Sequence, residues 1–248
     1  MIVRNRLLNY TDSYIFQDTD YFKFSLDSVL LANFVTINKR DKMILDIATG
    51  NAPIPMLLSF RTNAKIYGVE IQKVIYNLGV ISINENNMKD QIKLINDDAK
   101  NLVNKFDSDT FDVITCNPPY FKTNDNRFKN NNSVKSLARH EDTLKLDDVF
   151  AISRKLLKNN GRIAIVHRTE RLVEILNVMN KYNIEPKKIR FIYSKINKKS
   201  ELFLIEGIKN GKPGLKLLPP LIIYDENGNY SNEGISDNME IEIAKYLD

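Results

Sequence analysis

Short apolar runs alternate with amphipathic segments along most of the chain. Apolar runs rich in Val, Ile and Leu are typical of parallel strands that are buried on both faces. They occur at 43–47, 65–69, 92–95, 111–116 and 162–167. Segments with apolar residues every three or four positions predict helices between the strands, at 72–85, 147–157 and 170–179. The alternation predicts an α/β fold, in which a mostly parallel sheet carries helices on both faces.

The remaining segments extend this sheet. Apolar runs at 188–193 and 202–208 predict a hairpin that adds one antiparallel strand and brings the sheet to seven strands. A helix is predicted from Asp27, because Asp27 or Ser25 can cap it and an apolar face follows. Pro219-Pro220 precedes a predicted edge strand, and a closing helix is predicted at 238–247.

Three local expectations follow from residue type. Asn159-Asn160-Gly161 should end the 147–157 helix in a left-handed cap. His167, at the end of the fifth strand, should lie on the surface, as most histidines in such a place do. The aromatic residues scattered through 1–26 should pack as an arm against the core rather than contact a partner.

Polar residues stand where three predicted strands end, and open α/β sheets bind ligands at that edge. After the first strand comes Asp46-Ile47-Ala48-Thr49-Gly50-Asn51-Ala52, a turn whose glycine lets backbone N–H groups approach a ligand closely. Glu70 ends the second strand, at the position where a ribose hydroxyl pair is usually held. Asp98 follows the third strand, where it can accept from an adenine amino group or cap a helix that begins near Lys100. Both roles remain open for Asp98.

The fourth strand ends in Asn117-Pro118-Pro119-Tyr120. The two prolines supply no N–H to a sheet, so they stop the strand and stiffen the backbone beside the Asn117 amide. The Asn117 side-chain carbonyl and a proline carbonyl can both accept from one NH2 group, and Tyr120 can stack on the ring that carries it. Two fixed acceptors would stabilise the positive charge that develops when this nitrogen attacks a methyl donor. The motif therefore predicts a site for a planar amine or amide.

Composition narrows the partners and the compartment. The chain has 248 residues, no linker and no repeat, which predicts a single domain over 1–248. A net charge of +5 favours a polyanionic partner. One cysteine, Cys116, and no apolar run of membrane-spanning length predict a cytoplasmic protein without disulfides or membrane contact. His140 and Glu141 have no second His or Cys nearby, so we expect no metal site.

Two basic regions could contact phosphates. One is the connector of the predicted hairpin, which carries Lys195, Lys198 and Lys199. The other flanks the Asn117 motif with Lys122 and Arg139. Between the last two residues, the polar segment 122–138 is predicted to be a mobile loop near the site.

The whole chain resembles the bacterial family of tRNA1(Val) (adenine-37-N6)-methyltransferases, which use S-adenosylmethionine. Four stretches carry the resemblance: 24–32, the turn at 46–52, the tetrapeptide 117–120, and 219–224 with Tyr230. The tetrapeptide is also found in DNA and protein methyltransferases, and the two terminal stretches favour the tRNA enzymes. The resemblance implies a Rossmann-like class I methyltransferase fold, an N-terminal segment 1–40 that covers the cofactor, and valine tRNA as partner of a monomer.

Carried over by position, the resemblance implies site residues of two kinds. Cofactor contacts are expected from Asp27, Asp46, Ala48, Gly50, Glu70, Asp98 and Asn117. Catalysis is expected from Asn117, Pro118, Pro119 and Tyr120. From their charge and position alone, Lys122, Arg139, Lys195, Lys198 and Lys199 are expected to contact RNA. Ala48 and Ala52 depart from the pattern, because the family commonly has glycine there and alanine carries a steric cost wherever φ is positive.

Two other functions remain open from the sequence. A DNA adenine-N6 or protein glutamine methyltransferase would use the same tetrapeptide. A catalytically inactive RNA-binding relative would account for the alanines in the turn.

Overall fold

The structure is a computed structural model that describes residues 1–7, 12–19, 26–118, 144–226 and 228–229. The predicted loop at 122–138 and the predicted closing helix at 238–247 lie outside these residues. So do four of the predicted site residues: Pro119, Tyr120, Lys122 and Arg139.

A mostly parallel sheet forms the centre of the molecule. Its principal strands are β3 (Met43–Ile47), β4 (Lys65–Glu70), β5 (Ile92–Asn96), β6 (Phe111–Cys116), β7 (Leu157–Arg168), β8 (Ile184–Tyr193) and β9 (Leu202–Lys209). They lie in the order β8-β9-β7-β6-β3-β4-β5, and β9 is antiparallel to both of its neighbours. Two short strands, β10 (Lys216–Leu217) and β11 (Leu221–Ile222), pair in parallel with the outer side of β8. The seven-stranded core with one antiparallel strand is as predicted.

Helices cover both faces of this sheet. On one face lie α1 (Leu26–Phe34), α2 (Pro53–Ser59) and α3 (Lys73–Glu85), packed against alternate strand residues such as Ile44 and Val113. On the other lie α4 (Leu146–Leu156) and α5 (Leu172–Lys181), packed against Leu45 and Ile114. Burial on both faces is why the parallel strands are continuous apolar runs in the sequence. No described helix has the length and apolar character needed to cross a membrane.

The N-terminal residues form a separate antiparallel hairpin of β1 (Ile2–Arg6) and β2 (Tyr14–Asp18). The backbone N–H of Phe16 donates to Ser82 Oγ on α3 at 2.9 Å, and that of Tyr14 donates to Asn86 Oδ1 at 2.8 Å. The described part of this arm is therefore packed, as expected.

A set of buried and half-buried charged and polar residues, the anchor cluster, holds the C-terminal end of α1 to the sheet. It comprises Thr36, Asp41, Arg162, Lys188 and Glu206. Glu206 accepts from the backbone N–H and the hydroxyl of Thr36 at 2.6 and 2.8 Å, and Lys188 Nζ lies 3.5 Å from its carboxylate. Arg162 pairs with Asp41 and donates to the Thr36 carbonyl. Cations at a helix C-terminus interact favourably with its dipole, so the cluster fixes α1 in place.

Two local expectations are wrong. The 147–157 helix ends earlier, at Leu156, and the chain continues directly into β7. Asn160 does adopt a left-handed conformation, with φ of 61°, but it lies where β7 has extra residues relative to β6. His167 is buried, with 1% of its surface exposed, because β9 pairs alongside it.

Candidate active site

The carboxyl ends of β3, β4 and β6 meet at one edge of the sheet. Asp46 lies opposite Thr115 on β6, and Ile47 lies opposite both Val69 and Cys116. The next residues, which are Glu70 on β4 and Asn117 after β6, therefore flank the turn that follows β3. The structure brings together the residues that the sequence placed at this edge.

The turn after β3 has an unusual backbone. Ala48, Gly50 and Ala52 all have positive φ, at 56°, 60° and 71°. A Cβ built on Gly50 would meet no atom within 4 Å, so this side of the turn faces open space. Ala48 and Ala52 carry the steric cost that the sequence analysis expected if φ were positive. At Gly50 the turn backbone is therefore open on one side, which a turn that binds a ligand through its backbone requires.

Glu70 is held against this turn. One carboxylate oxygen accepts from the Gly50 N–H at 3.0 Å, and the other accepts from the Gln72 N–H at 2.8 Å. The side chain is buried, and this burial raises its pKa above the usual range. An ionised carboxylate has about four lone-pair sites, so Glu70 can accept from a ligand hydroxyl while it holds these N–H groups.

Asp46 is the most deeply buried acid at the site, with 0% of its surface exposed. The Thr115 hydroxyl donates to one carboxylate oxygen at 2.6 Å. Within the described part of the chain, the other oxygen, Oδ2, and the nearby Thr49 hydroxyl have no hydrogen-bond partner. Burial raises the pKa of Asp46 to about 7; the nearby Thr115 and Thr49 hydroxyls act against this rise, and the charge of Glu70 adds to it. We call Asp46, Thr49, Glu70 and Thr115 the turn cluster.

Asp98 caps a short helix. Its carboxylate accepts from the Lys100 N–H at 2.9 Å at the start of the 3-10 helix Ala99–Asn104. This is one of the two roles that the sequence left open, and the cap uses one oxygen of the carboxylate. The adenine contact stays a prediction.

Asn117 lies immediately after β6, half-buried, and is followed by buried Pro118. Its side-chain NH2 donates to the Ser28 hydroxyl on α1 at 3.2 Å. Ser28 is 5% exposed, and Asp27 beside it on α1 is half-buried. The sequence predicted the α1 segment and Asp27 as part of the site, but not Ser28. In the sequence, Ser28 is marked only by its place within the stretch 24–32 that resembles the methyltransferases.

The N-terminal hairpin also reaches this edge of the sheet. Asn51, in the turn after β3, donates from its side-chain amide to the Phe16 carbonyl on β2 at 2.8 Å. This contact ties the described part of the 1–40 segment to the turn, while its proposed role as a cofactor cover stays a prediction.

The predicted basic tip lies at the same edge of the sheet. β8 runs parallel to β7, and Arg168 and Ile192 both pair with Leu202 on β9. The connector between β8 and β9, which carries Lys195, Lys198 and Lys199, therefore lies at the same edge of the sheet as the carboxyl end of β7. Lys198 and Lys199 are exposed, whereas Lys195 is half-buried and donates to the Glu226 carbonyl at 3.3 Å. β8 lies three strands from β6, which is roughly 14 Å at the usual strand spacing.

His167 stands at the end of β7, between Asn117 and the basic tip. Its Nδ1 accepts from the Arg168 N–H at 2.8 Å. Burial lowers the pKa of His167 to about 4, and the positive charge of Arg171 acts in the same direction. The imidazole is therefore neutral at pH 7. Over the described residues, no three His, Cys, Asp or Glu side chains are grouped so that they could hold a metal ion.

Comparisons with known proteins agree with this geometry. Residues 14–202 match the model of a family described as RNA methyltransferase. The chain is 25% identical to the tRNA1(Val) (adenine(37)-N6)-methyltransferase of Flavobacterium psychrophilum, over 89% of this chain and 92% of the relative. It is 28% identical to the protein of the same name from Haemophilus influenzae, over 88% of this chain and 90% of the relative.

The fold is that of solved methyltransferases. A predicted O-methyltransferase from Agrobacterium tumefaciens superposes with a TM-score of 0.69 at 16% identity, covering 89% of this chain and 97% of that one. This likeness confirms the predicted fold class. Because the family model covers most of the chain, the protein belongs to the RNA methyltransferase family.

Proposed function

We propose that the protein transfers a methyl group from S-adenosylmethionine to N6 of adenine 37 in valine tRNA. The observation that carries this proposal is the side-chain amide of Asn117, held at the end of β6 beside an open turn that contains buried, unsatisfied oxygens. The names of the Flavobacterium and Haemophilus relatives, which align with nearly the whole chain, support the choice of substrate.

The turn cluster fits the cofactor. When bound, S-adenosylmethionine supplies an electrophilic methyl group on a positively charged sulfur. Glu70 would accept from ribose hydroxyls, and the free Oδ2 of Asp46 and the Thr49 hydroxyl would face the charged end of the cofactor. Gly50 and Ala48 would let the chain approach closely, while Asp98 and Asp27 lie at the rim. A buried carboxylate is stabilised by a nearby cation, and the positively charged cofactor would supply the cation that Asp46 lacks among the described residues.

Asn117 would act on the adenine amino group. Its carbonyl oxygen, together with the carbonyl of Pro118, accepts the two N–H groups and turns the nitrogen lone pair toward the methyl carbon. The adenine nitrogen would form the new N–C bond with the methyl group that the cofactor would supply, while the cofactor sulfur would keep the bonding electron pair. The nitrogen then releases one proton to solvent. Pro119 and Tyr120, the latter as a stacking surface, complete the proposed catalytic set.

The basic tip would contact the RNA backbone. Lys198 and Lys199 are exposed at the same edge as Asn117, within reach of a tRNA loop whose target base has been turned out of its stack. We place Lys195, Lys122 and Arg139 in the same phosphate-binding role. Such contacts position the RNA and carry no sequence information by themselves.

The test incubates the protein and labelled S-adenosylmethionine with tRNA, DNA and protein in separate reactions. We expect label in total tRNA, lost when valine tRNA is removed, and N6-methyladenine at position 37 by mass spectrometry. Label only in DNA or only in protein would reject the proposal. Asn117→Ala should abolish transfer while calorimetry still detects binding of S-adenosylmethionine. If Asn117→Ala lost methyl transfer and S-adenosylmethionine binding to the same extent, the catalytic role of Asn117 would be wrong.

A further inference from the structure

The side-chain amide of Asn117 is useful in one orientation only. Its oxygen can accept from an amino group, whereas its NH2 can only donate. If the amide were turned by half a rotation, it would present N–H groups to the N–H groups of the substrate. The site therefore needs something that holds the Asn117 NH2 away from the pocket.

We infer that Ser28 is the positioning residue that sets this orientation, an inference that depends on the function proposed above. Ser28 Oγ lies 3.2 Å from Asn117 Nδ2, and the two residues are 89 positions apart in the sequence. With the NH2 donating to the serine oxygen, the carbonyl oxygen lies on the other arm of the amide, on the side away from Ser28. Ser28 itself would touch neither substrate nor the reacting atoms.

A helical serine is well suited to accept in this way. Its hydroxyl proton commonly goes to a backbone carbonyl of the preceding turn, so that its oxygen is left as an acceptor. Ser82 on α3 shows this arrangement, since its hydroxyl donates to the Leu78 carbonyl at 2.8 Å and its oxygen accepts from the Phe16 N–H at 2.9 Å.

The helix that carries Ser28 is held firmly. Besides the anchor cluster, Arg61 donates to the carbonyls of Ala32 and Val35, and Lys188 donates to the Phe34 carbonyl at 2.6 Å. Ser28 and the four residues after it, up to Ala32, are buried. A fixed helix can hold the amide with the precision that a reacting group requires.

The test compares two substitutions of equal shape at position 28. Ser28→Thr keeps the hydroxyl acceptor, and Ser28→Val removes it. We expect kcat for tRNA methylation to be about ten- to a hundredfold higher in Ser28→Thr than in Ser28→Val, because small displacements of a reacting group are costly. The Kd for S-adenosylmethionine and the KM for tRNA should agree within about twofold between the two variants. Ser28→Ala should resemble Ser28→Val.

Ser153→Ala is the matched control, since Ser153 is a buried helical serine whose hydroxyl bonds within α4. It should keep the wild-type kcat. Equal kcat values for Ser28→Thr and Ser28→Val would overturn the inference. So would a fall in kcat that merely equals the fall in the fraction of each variant that still binds S-adenosylmethionine. A wild-type protein inactive on every tRNA would instead overturn the proposed function, so the two failures are distinguishable.

Discussion

The anchor cluster and the turn cluster lie against the same face of the sheet, but they differ in how their polar groups are used. In the anchor cluster each carboxylate has a cation and further donors: Glu206 has Thr36 and Lys188, and Asp41 has Arg162. In the turn cluster, Asp46 has a single hydroxyl donor. Over the described chain, the buried side-chain polar atoms without a hydrogen bond are Asp46 Oδ2 and Thr49 Oγ1, both in the turn cluster.

This difference separates groups that maintain the fold from groups that are held for a ligand. An unpaired buried polar group costs free energy, so proteins satisfy nearly all of them. Where two remain beside a turn with three left-handed residues, the fold bears a cost that a bound ligand or an ordered water would reduce. The four predictions below test this contrast, beginning with the largest expected effect.

Breaking the anchor cluster should destabilise the protein strongly. Arg162→Met leaves the Asp41 carboxylate buried without its cation, and such losses are about 3–5 kcal/mol. Urea unfolding at pH 7.5 measures the change. Lys216→Met removes an exposed cation on β10 and should change the free energy of unfolding by no more than about 0.5 kcal/mol. If both variants matched the wild type, the anchor cluster would have no structural role.

Removing the charge of Asp46 in the turn cluster should raise the free energy of unfolding, whereas breaking the anchor cluster should lower it. The pKa of Asp46 is about 7 in the folded protein and near 3.8 when exposed. The folded state therefore holds a proton that the unfolded state releases as pH rises above about 4, and stability falls until pH 7. Asp46→Asn avoids this loss and should unfold with a free energy higher by roughly 2–4 kcal/mol at pH 8, and with little difference near pH 4.

Urea unfolding of Asp46→Asn and wild type at both pH values provides the measurement. Asp107→Asn, which changes an exposed acid, should show no such difference. If Asp46→Asn were less stable than the wild type at pH 8, the ionised Asp46 carboxylate would stabilise the fold, contrary to this prediction.

Affinity for S-adenosylmethionine should depend on the same titration. The cofactor carries positive charge, so it should bind the ionised form of Asp46 better. The association constant should rise by up to about tenfold per pH unit below pH 7 and level off above it. Calorimetry from pH 5.5 to 8.5 would follow this rise. Asp46→Asn should bind S-adenosylmethionine more weakly, and its association constant should depend less on pH. If the association constant of Asp46→Asn rose with pH as steeply as that of the wild type, the titrating group would be a different one.

The smallest effect is expected at the alanines of the turn. Ala48→Gly relieves a left-handed alanine, which costs about 1–2 kcal/mol, but adds the backbone entropy of glycine, about 0.5–1 kcal/mol. A net gain of at most about 1 kcal/mol in the free energy of unfolding should result. Ala99→Gly, in a short helix, should lose stability instead. Equal losses in the two variants would mean that the turn is not strained at Ala48.

The sequence predicted the strands best where they are buried on both faces. The bounds of β3 and β6 are those read from their apolar runs, because turn-forming residues follow each run directly. β7 was less predictable, because its pairing with β6 begins at Leu157 and overrides the turn preference of Asn160-Gly161. The burial of His167 depends on β9, which is distant in the sequence and pairs beside it.

By itself, the sequence determined the α/β architecture, the edge of the sheet where the site lies, and the residue types at each strand end. Periodicity and strand-ending residues are local properties, so they can be read along the chain. Only the tertiary structure decided that Ser28 meets Asn117 and that the basic tip lies at the same edge of the sheet as Asn117. It also decided that, among the described residues, Asp46 keeps an oxygen without a hydrogen bond while Glu206 does not. Those properties depend on contacts between distant segments, and a buried group's partners are set by whichever elements pack around it.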